Sequence, residues 1–355
     1  MADDPIAVNV ITGFLGSGKT TLLQRLLRAP ELADTAVLVN EFGEVGLDHI
    51  LLERVDETTV LLQSGCLCCT IRGDLSTAIR DLYDRRERGR VPPFRRLVIE
   101  TTGLADPAPI VATLGAEPVI RRHFRLGNVI AVVDAPNGAA NLDSYLECVK
   151  QAAVADRLVV SKTDIADPAA VAGLRDRLRR LNPTAAQIES GRDGVAPSAL
   201  LTDDLYDPAG RSAEVRRWLA EAADEPDGHA HDVNRHGADI AAFCLSPDEP
   251  LDWTAFGVWL TMLLHRHGPN VLRVKGLLHI AGVATPVVVH GVQHVIHEAV
   301  HLDAWPDGRA RTRLVFITRG LPREAVAASL AAFNRLAAGD TAGGYSKKRV
   351  QPHAH

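Results

Sequence analysis

Short apolar runs recur in the first half of the chain and alternate with stretches of helical spacing. The runs cover residues 6–11, 36–39, 97–99, 129–133 and 158–160. Short, continuously apolar runs are typical of strands that are covered on both faces. The pattern predicts an α/β domain, with a mostly parallel sheet and helices on both faces. In such a domain, ligands bind at the carboxyl ends of the strands.

One of the intervening helices is plain in the pattern. Asp74 is a residue type that caps helices, and the apolar residues after it share one helical face: Leu75, Ile79, Leu82 and Tyr83. We therefore predict a helix that Asp74 caps and that buries this stripe.

The periodicity stops at the polar segment 224–232 and resumes in a different form. A strand pattern at 240–245 precedes a helix that Asp252 caps, and the remaining elements are predicted strands at 271–280, 287–296 and 314–317 and a helix at 323–336. This order predicts a smaller α+β domain with an antiparallel sheet. The predicted divisions are a first domain over 1–222, a histidine-containing linker over 223–238, a second domain over 239–338 and a flexible tail over 339–355.

Composition narrows the class of protein. A chain of 355 residues exceeds what one hydrophobic core usually serves, which agrees with two domains. The net charge of -5 provides no basic face for nucleic acid. No apolar run approaches the roughly 20 residues that a membrane span needs. We therefore expect a cytoplasmic protein whose partners include neither nucleic acid nor a membrane.

Residues 13–20, GFLGSGKT, fit the phosphate-binding pattern GxxxxGK[ST] and stand between the first predicted strand and a helical stretch. The backbone N–H groups of such a loop surround a phosphate. Lys19 would reach the β- and γ-phosphates, and the Thr20 hydroxyl would bind Mg²⁺. The other residues that we predict to bind the nucleotide here are Gly13, Gly16, Ser17, Gly18 and Thr21. The first domain is thus predicted to be a P-loop NTPase domain.

An acidic motif ends the strand at 97–99. Glu100 follows this strand directly, and Gly103 stands three residues further on. In GTPases, a carboxylate so placed approaches Mg²⁺, and the glycine N–H contacts the γ-phosphate. We predict that Gly103 has this contact and that Glu100 orders Mg²⁺ or the attacking water. Asp134 also ends a strand, but no glycine stands three residues after it.

The strand at 158–160 leads into SKTD at 161–164, which is close to the NKxD signature of GTPases. The Asp164 carboxylate would accept hydrogen bonds from two guanine N–H groups, a donor pair that adenine lacks at that edge. We predict that Ser161, Lys162 and Asp164 bind the base and favour GTP over ATP. Because Ser161 replaces the usual asparagine, one supporting hydrogen bond is in doubt.

Three of the five cysteines stand together, at Cys66, Cys68 and Cys69. Clustered thiols in a reducing compartment favour metal binding over disulfides, and thiolates suit Zn²⁺, Cu(I) and iron–sulfur clusters. A fourth ligand would come from Glu44, a histidine or water. The other two cysteines, Cys148 and Cys244, stand alone and are predicted to be packing residues.

Together these motifs resemble the CobW-type family of metallochaperone GTPases. The resemblance runs through the phosphate loop, NEFGE at 40–44, GCLCC at 65–69, ETTGLADP at 100–107 and SKTD, and it continues into the second domain at 272–276 and 313–317. It implies GTP hydrolysis coupled to the handling of a transition metal, most often zinc and in some members cobalt. The family pattern gives Cys66, Cys68 and Cys69 the metal-binding role, with Glu44 as a helper.

The prediction is a GTPase that binds Mg²⁺-GTP and transfers zinc, or a similar divalent metal such as Co²⁺, to a client protein. Residues 40–69 occupy the position of γ-phosphate-sensing switch segments, so GTP would bring Glu44 and the thiolates together. Slow turnover is expected without a partner, because neither an arginine finger nor a catalytic glutamine is evident. A second copy of the chain is a further candidate partner.

Three other functions stay open at the level of the sequence. The first is a cobalt-handling GTPase of cobalamin synthesis. The second is a P-loop kinase that phosphorylates a small molecule and makes no use of the thiols. The third is a metal buffer or sensor, for which the nucleotide is only a structural ligand.

Two groups of histidines have the spacing or location of metal ligands. The first group lies in the linker and the tail, where metal binding and plain solvation are equally good interpretations: His229, His231, His236, His353 and His355. The second group would share one face of a helix: His290, His294, His297 and His301. The valines around this second group favour strand and turn, which would scatter the four side chains.

Overall fold

A computed structural model describes residues 5–39, 60–63, 71–192, 194–201, 215 and 240–342. The first domain contains a seven-stranded sheet. Its strands are β1 (Ile6–Gly13), β2 (Thr35–Val39), β3 (Val60–Gln63), β4 (Arg96–Glu100), β5 (Phe124–Asp134), β6 (Arg157–Ser161) and β7 (Ala186–Ser190). They lie in the order β3-β2-β4-β1-β5-β6-β7, and every pairing is parallel.

Helices cover both faces of this sheet. They are α1 (Lys19–Leu26), α2 (Ile71–Glu87), α3 (Ala108–Ala116), α4 (Pro118–His123), α5 (Gly138–Ser144), α6 (Leu146–Val154), α7 (Pro168–Leu181) and α8 (Pro197–Leu200), with a short 3-10 turn at Pro30–Leu32. Leu22 and Leu23 of α1 pack with Ile11 on one face, while Ile79 of α2 packs with Val8 in a separate cluster. The predicted α/β class is confirmed, because each continuously apolar strand is buried on both sides.

The start of α2 differs from the prediction. The helix begins at Ile71, so Asp74 is its fourth residue and does not cap it. The apolar stripe was predicted correctly, since Leu75, Ile79 and Leu82 are buried. An acidic residue is favourable at the cap and throughout the first turn, because both positions lie near the positive end of the helix dipole. The residue type therefore left the start uncertain by one turn.

The second domain contains a six-stranded sheet with two helices. Its elements are β8 (Ile240–Leu245), α9 (Trp253–His267), a 3-10 turn at Gly268–Asn270, β9 (Val271–Leu278), β10 (Val287–Val292), β11 (Val295–Ile296), β12 (Val300–His301), β13 (Arg313–Arg319) and α10 (Arg323–Ala342). The order is β11-β10-β9-β13-β8, with β12 paired to β10, and the pairings are antiparallel as predicted. Asp252 caps α9, because its Oδ1 accepts a hydrogen bond from the Ala255 N–H at 2.7 Å.

Two predicted boundaries in this domain were wrong. The strand predicted at 287–296 is interrupted by a tight turn, where Gln293 has a φ of 49°, so it forms the hairpin of β10 and β11. The last helix continues to Ala342 and does not end near 336. The predicted linker over 223–238 and most of the tail lie outside the described residues, as do their histidines. The domain limits at 222 and 239 stay predictions. Among the described residues, no helix is long and apolar enough to cross a membrane.

The two domains share a continuous apolar contact. Ile240, Leu272 and Val292 of the second domain belong to the same buried cluster as the helices of the first. A charged contact lies beside it, where the Arg273 guanidinium and the Lys275 ammonium both meet the Asp156 carboxylate, the latter at 3.1 Å. Burial alone would raise the pKa of Asp156, but these two cations and a backbone N–H hold that pKa well below its usual range.

The histidines at 290–301 are mostly scattered, as predicted. His290 lies on β10, His294 in the turn and His301 on β12. His290 and His297 nevertheless come together, with ring centroids 4.6 Å apart. The charges of Asp156 and Arg273 act on both rings. No group of three or more metal-ligating side chains occurs among the residues that the structure describes. The predicted packing roles of Cys148 and Cys244 agree with the structure, since Cys148 is buried and Cys244 is partly buried.

We predict that the pair of His290 and His297 lowers the free energy of unfolding in acid. Burial lowers the pKa of His297 to about 4. Two smaller effects act in opposite directions, since the Asp156 carboxylate raises this pKa and the Arg273 guanidinium lowers it. Burial and the neighbouring His297 also lower the pKa of His290. A histidine with a lowered folded-state pKa takes up protons more readily when unfolded, so stability falls as the pH drops below about 6.5. We expect His297 to contribute a loss of about 1–2 kcal/mol in the free energy of unfolding between pH 7 and pH 5.

Chemical denaturation of the parent, His297→Gln and His301→Gln at both pH values measures this effect. The His297→Gln variant should lose less stability in acid than the parent. His301→Gln is the matched control, because His301 is exposed on the neighbouring strand. Equal acid sensitivity of the parent and His297→Gln would show that His297 has no part in it.

Candidate functional site

The predicted nucleotide motifs meet at one edge of the first sheet, which we call the carboxyl edge and which the C-terminal ends of the parallel strands β1 to β7 form. The parallel register aligns Asp134 of β5 with Ser161 of β6 and Ser190 of β7. On the other side of β5, the strand β1 leads into the phosphate loop, and Glu100 of β4 lies opposite Ile11. Because carboxyl ends of parallel strands share an edge, residues far apart in sequence become neighbours here.

The phosphate loop has the predicted strand–loop–helix context. Gly18 has a φ of 95°, a left-handed conformation that glycine adopts without strain, and α1 begins at the next residue. The Ser17 N–H donates to the Phe14 carbonyl at 3.2 Å and closes the turn. The Lys19 ammonium donates to the same carbonyl at 3.0 Å, and only 8% of Lys19 is exposed. The loop thus encloses a positive charge next to a helix N-terminus, an arrangement that suits phosphate.

Thr20 and Glu100 form one polar pair at the carboxyl edge. The Thr20 hydroxyl donates to Glu100 Oε1 at 2.6 Å, although 80 residues separate the two in sequence. Glu100 is only 4% exposed. A hydroxyl and a carboxylate oxygen are the hard donors that Mg²⁺ prefers in nucleotide sites. The donor set therefore fits the magnesium ion predicted from the sequence.

The loop that follows Glu100, residues 101–107, packs against the phosphate loop. A Cβ atom on Gly103 would lie 2.6 Å from the backbone nitrogen of Leu15, closer than real side chains approach. The Thr101 hydroxyl donates to the Thr12 hydroxyl at 2.9 Å, and the Thr101 N–H donates to the Ile11 carbonyl. Only glycine permits this close contact at 103, which places the Gly103 backbone beside the phosphate loop.

Ser161 and Lys162 are joined to the phosphate loop from the other side. The Ser161 hydroxyl donates to the Ser17 carbonyl at 2.6 Å, so a hydrogen bond links this serine to the loop although the usual asparagine is absent. The Lys162 ammonium donates to the Gly16 carbonyl at 2.7 Å and pairs with the Asp134 carboxylate at 3.2 Å. The motif at 161–164 is therefore fixed to the phosphate loop by two side chains.

Asp164 is exposed at the mouth of the site, next to the segment that follows β7. A Cβ atom on Gly191 would lie 3.7 Å from the Asp164 Cβ, and the Lys162 N–H donates to the Ser190 carbonyl at 3.0 Å. Arg25 of α1 donates to the Gly191 carbonyl at 3.1 Å and holds this segment in place. Asp164 and Gly191 are thus in contact at the exposed end of the carboxyl edge, where the Asp164 carboxylate is accessible to a base.

The predicted metal ligands Cys66, Cys68, Cys69 and Glu44 lie outside the described residues. The preceding strand β3 is described, and its last residue, Gln63, stands three positions before Cys66. Gln63 of β3 lies opposite Val39, which lies opposite Glu100. Adjacent strands are about 4.8 Å apart, so Gln63 lies roughly 10 Å from Glu100 along the carboxyl edge. The last described residue before the cysteines therefore lies at the edge that carries the phosphate loop.

Comparisons with known proteins find matches for both domains. Residues 7–189 match the family model described as CobW/HypB/UreG, nucleotide-binding domain, and residues 240–334 match the Cobalamin synthesis protein cobW C-terminal domain. The zinc chaperone YjiA of Escherichia coli is 32% identical over 332 residues, which cover 94% of this chain and 100% of YjiA. The chain belongs to the CobW-type family of metallochaperone GTPases. The predicted family, fold class and GTPase activity are thereby confirmed.

Other members of the CobW-type family are also similar to this chain over nearly its whole length. The zinc chaperone CobW of Pseudomonas aeruginosa is 31% identical over 359 residues, covering 92% of this chain and 90% of the relative. The crystal structure of zinc-bound YjiA from E. coli superposes with a TM-score of 0.71 at 29% identity, over 93% of this chain and 99% of that chain. The similarity extends through both domains. This chain and zinc-bound YjiA therefore share the same two-domain architecture.

Reasoning from the sequence missed three parts of this CobW-family site. Asp134 was set aside because no glycine follows it at the right distance, yet it pairs with Lys162. Ser190 ends, and Gly191 follows, a strand of mixed polarity, AQIES, which no apolar run reveals. Gln151 of α6 contacts the loop after Glu100. A strand-end carboxylate was the one signal available for Asp134, whereas nothing local distinguishes Gln151.

Proposed function

We propose that this protein is a GTP-dependent metallochaperone that binds zinc through Cys66, Cys68 and Cys69, assisted by Glu44, and transfers it to a client protein. Membership of the CobW-type family and the zinc-chaperone names of its relatives support this function. The observation that carries it is the alignment of Gln63, Val39 and Glu100 across three strands. Gln63, three positions before Cys66, lies at the edge where the nucleotide would bind.

The nucleotide part of the mechanism follows from the carboxyl edge. The phosphate loop would hold the β- and γ-phosphates with its backbone N–H groups and the Lys19 ammonium. Asp164 would accept hydrogen bonds from guanine, while Lys162 and Ser161 keep its segment against the phosphate loop. Thr20 and Glu100 would hold Mg²⁺, which neutralises developing negative charge on the phosphates when bound. Gly103 would present its N–H to the γ-phosphate.

The metal part depends on coupling between two neighbouring segments of chain. Strands β2 and β3 both end at the carboxyl edge, at Val39 and Gln63, and the connections from β2 to β3 and from β3 to α2 follow them in the sequence. A γ-phosphate that orders these connections would bring Glu44 and the three thiolates into one site, and hydrolysis would release them. A tenfold difference in zinc affinity requires only about 1.4 kcal/mol of coupling, and zinc must then tighten GTP binding by the same factor.

A zinc titration of the GDP-bound and GTP-analogue-bound protein tests this coupling. We expect tighter zinc binding in the GTP-analogue form by about tenfold. The Cys68→Ala variant should lose this tight site, because it removes one thiolate ligand. Cys244→Ala is the matched control, since this partly buried cysteine lies in the second domain. Equal zinc affinity in the two nucleotide forms would refute the coupling.

Measurements of metal binding, phosphate transfer and GTP hydrolysis on the same protein distinguish the alternative functions. A cobalt-handling GTPase would show the nucleotide-dependent change for Co²⁺ and not for Zn²⁺. A small-molecule kinase would transfer phosphate to an acceptor, with no effect of Cys68→Ala. A metal buffer or sensor would bind zinc without any change in GTP hydrolysis.

A further inference from the structure

Helix α6 lies between the loop that follows Glu100 and the second domain. The side-chain amide of Gln151 donates to the Gly103 carbonyl at 3.2 Å and to the Ala105 carbonyl at 2.9 Å. Gln151 is only 2% exposed, and its hydrogen bond to the Gly103 carbonyl is buried. A buried carbonyl that loses its donor is costly. One side chain therefore fixes the backbone on the C-terminal side of Gly103.

The neighbouring residue of α6 holds the end of the same loop. The Lys150 ammonium pairs with Asp106 Oδ2 at 3.0 Å, and Asp106 Oδ1 accepts a hydrogen bond from the Ala108 N–H at 3.0 Å. Ala108 is the first residue of α3. The loop is thus attached to α6 at Gly103, Ala105 and Asp106, and it leads directly into α3.

The C-terminal end of α6, about one turn beyond Gln151, is held by the second domain. Arg273 of β9 donates to the Val154 carbonyl and to the Asp156 carboxylate. The last carbonyls of a helix have no partner within the helix, and here the Arg273 guanidinium supplies one. From the first domain, the Asn182 amide donates to the carbonyls of residues 152, 153 and 155 at 2.9–3.1 Å. A displacement of β9 would therefore act on the C-terminal end of α6.

The second domain also packs against α3. A Cβ atom on Gly115 would lie 2.6 Å from Val295 Cγ1, so strand β11 approaches the backbone of this helix closely. The residues of α3 begin where the loop after Glu100 ends. Both helices that contact this loop, α3 and α6, are thus in contact with the second domain.

We propose that α6 couples the second domain to the loop that follows Glu100, with Gln151 as the positioning residue, and that this coupling sets the affinity for GTP relative to GDP. The inference rests on the proposed contact between the Gly103 N–H and the γ-phosphate. That N–H and the carbonyl held by Gln151 belong to the same residue. A change in the Gly103 backbone that presents the N–H to phosphate therefore changes the hydrogen bond to Gln151 as well.

The Gln151→Met variant tests the first half of this coupling. Methionine keeps the length of the side chain and removes the amide donors. We expect the affinity for a non-hydrolysable GTP analogue to fall by about tenfold, while the affinity for GDP changes by less than about twofold. Gln187→Met is the matched control, because the Gln187 amide donates to the Arg175 carbonyl at 2.9 Å, away from this loop. An unchanged ratio of the two affinities would overturn the role of Gln151.

The second half requires a double-mutant cycle between the domains. Arg273→Met and the milder Arg273→Lys should each lower the affinity for the GTP analogue relative to GDP. Their effects should be smaller in a Gln151→Met background, since the helix then has less hold on the loop. Glu298→Gln is the control, because it removes a charge from a surface contact between the domains, the ion pair with Arg125, that does not involve α6.

Additive effects on the affinity ratio would refute transmission through α6. If Arg273→Met does not fold, Arg273→Lys carries the cycle, since it keeps a positive charge near Asp156. The titrations contain no zinc, so their outcome is independent of metal binding by the thiols. Failure of the proposed nucleotide site would appear differently, as a parent protein that does not bind the GTP analogue.

Discussion

Replacing Lys19 with methionine should lower kcat/KM for GTP hydrolysis by about a thousandfold. The Lys19 ammonium is the positive charge that the phosphate loop encloses, 3.0 Å from the Phe14 carbonyl. Removal of one preorganised charge or donor from the transition state typically costs a factor of about 10²–10³, and Lys19 also contributes to ground-state binding of the phosphates. Methionine has a similar length, so the packing of α1 should be preserved.

Steady-state kinetics of the parent, Lys19→Met and Arg28→Met would check this expectation. Arg28 is an exposed cation just beyond the C-terminal end of α1, so its replacement removes the same charge outside the loop. We expect Arg28→Met to hydrolyse GTP like the parent. Retention of more than about a tenth of the parental kcat/KM by Lys19→Met would mean that the phosphates bind elsewhere.

Replacing Asp164 with asparagine should weaken GTP binding by about 10²–10³-fold and favour xanthosine triphosphate. The Asp164 carboxylate is exposed beside Gly191, where it would accept hydrogen bonds from both guanine N–H donors. Asparagine replaces one acceptor with a donor, which opposes the guanine amino group. Xanthine carries a carbonyl at that position and would accept from the new amide. Hydrogen bonds to a charged acceptor contribute about 1.5–3 kcal/mol each, so weakening both accounts for an effect of this size.

Competition binding with GTP, ATP and xanthosine triphosphate measures the change in preference. Asp167→Asn is the matched control, since Asp167 caps α7 and its carboxylate accepts from the Ala169 N–H at 2.8 Å. That variant should keep the parental order of affinities. An unaltered order for Asp164→Asn would show that the base is recognised by another part of the chain.

The nucleotide motifs were predictable because each is a contiguous segment that specifies its own backbone. A buried strand, a glycine loop and a helix follow one another from Ile6 to Leu26, and the glycines permit the loop conformation by themselves. Glu100 and Ser161 were identified in the same way, as polar residues at the ends of apolar strands. Local pattern is sufficient at such positions, since the parallel sheet brings strand ends to a common edge.

The wrongly predicted boundaries lie where local residue preferences do not select one structure. Asp74 suits both the cap and the first turn of α2, so its chemistry does not select between them. The valines on either side of Gln293 favour strand throughout, and the turn there depends on the pairing of β10 with β11. Residue preferences are small compared with the energies of tertiary packing, which therefore decide such positions.

The sequence by itself determined the α/β class of the first domain, the α+β class of the second, the phosphate loop and the order of the nucleotide motifs. Only the tertiary structure decided which side chains join these parts: Asp134 to Lys162, Gln151 to Gly103, and Arg273 to the end of α6 across 119 positions of sequence. The physical reason is the range of the interactions. Strand and helix patterns repeat over a few residues, whereas a hydrogen bond between distant segments leaves no periodic trace in either one.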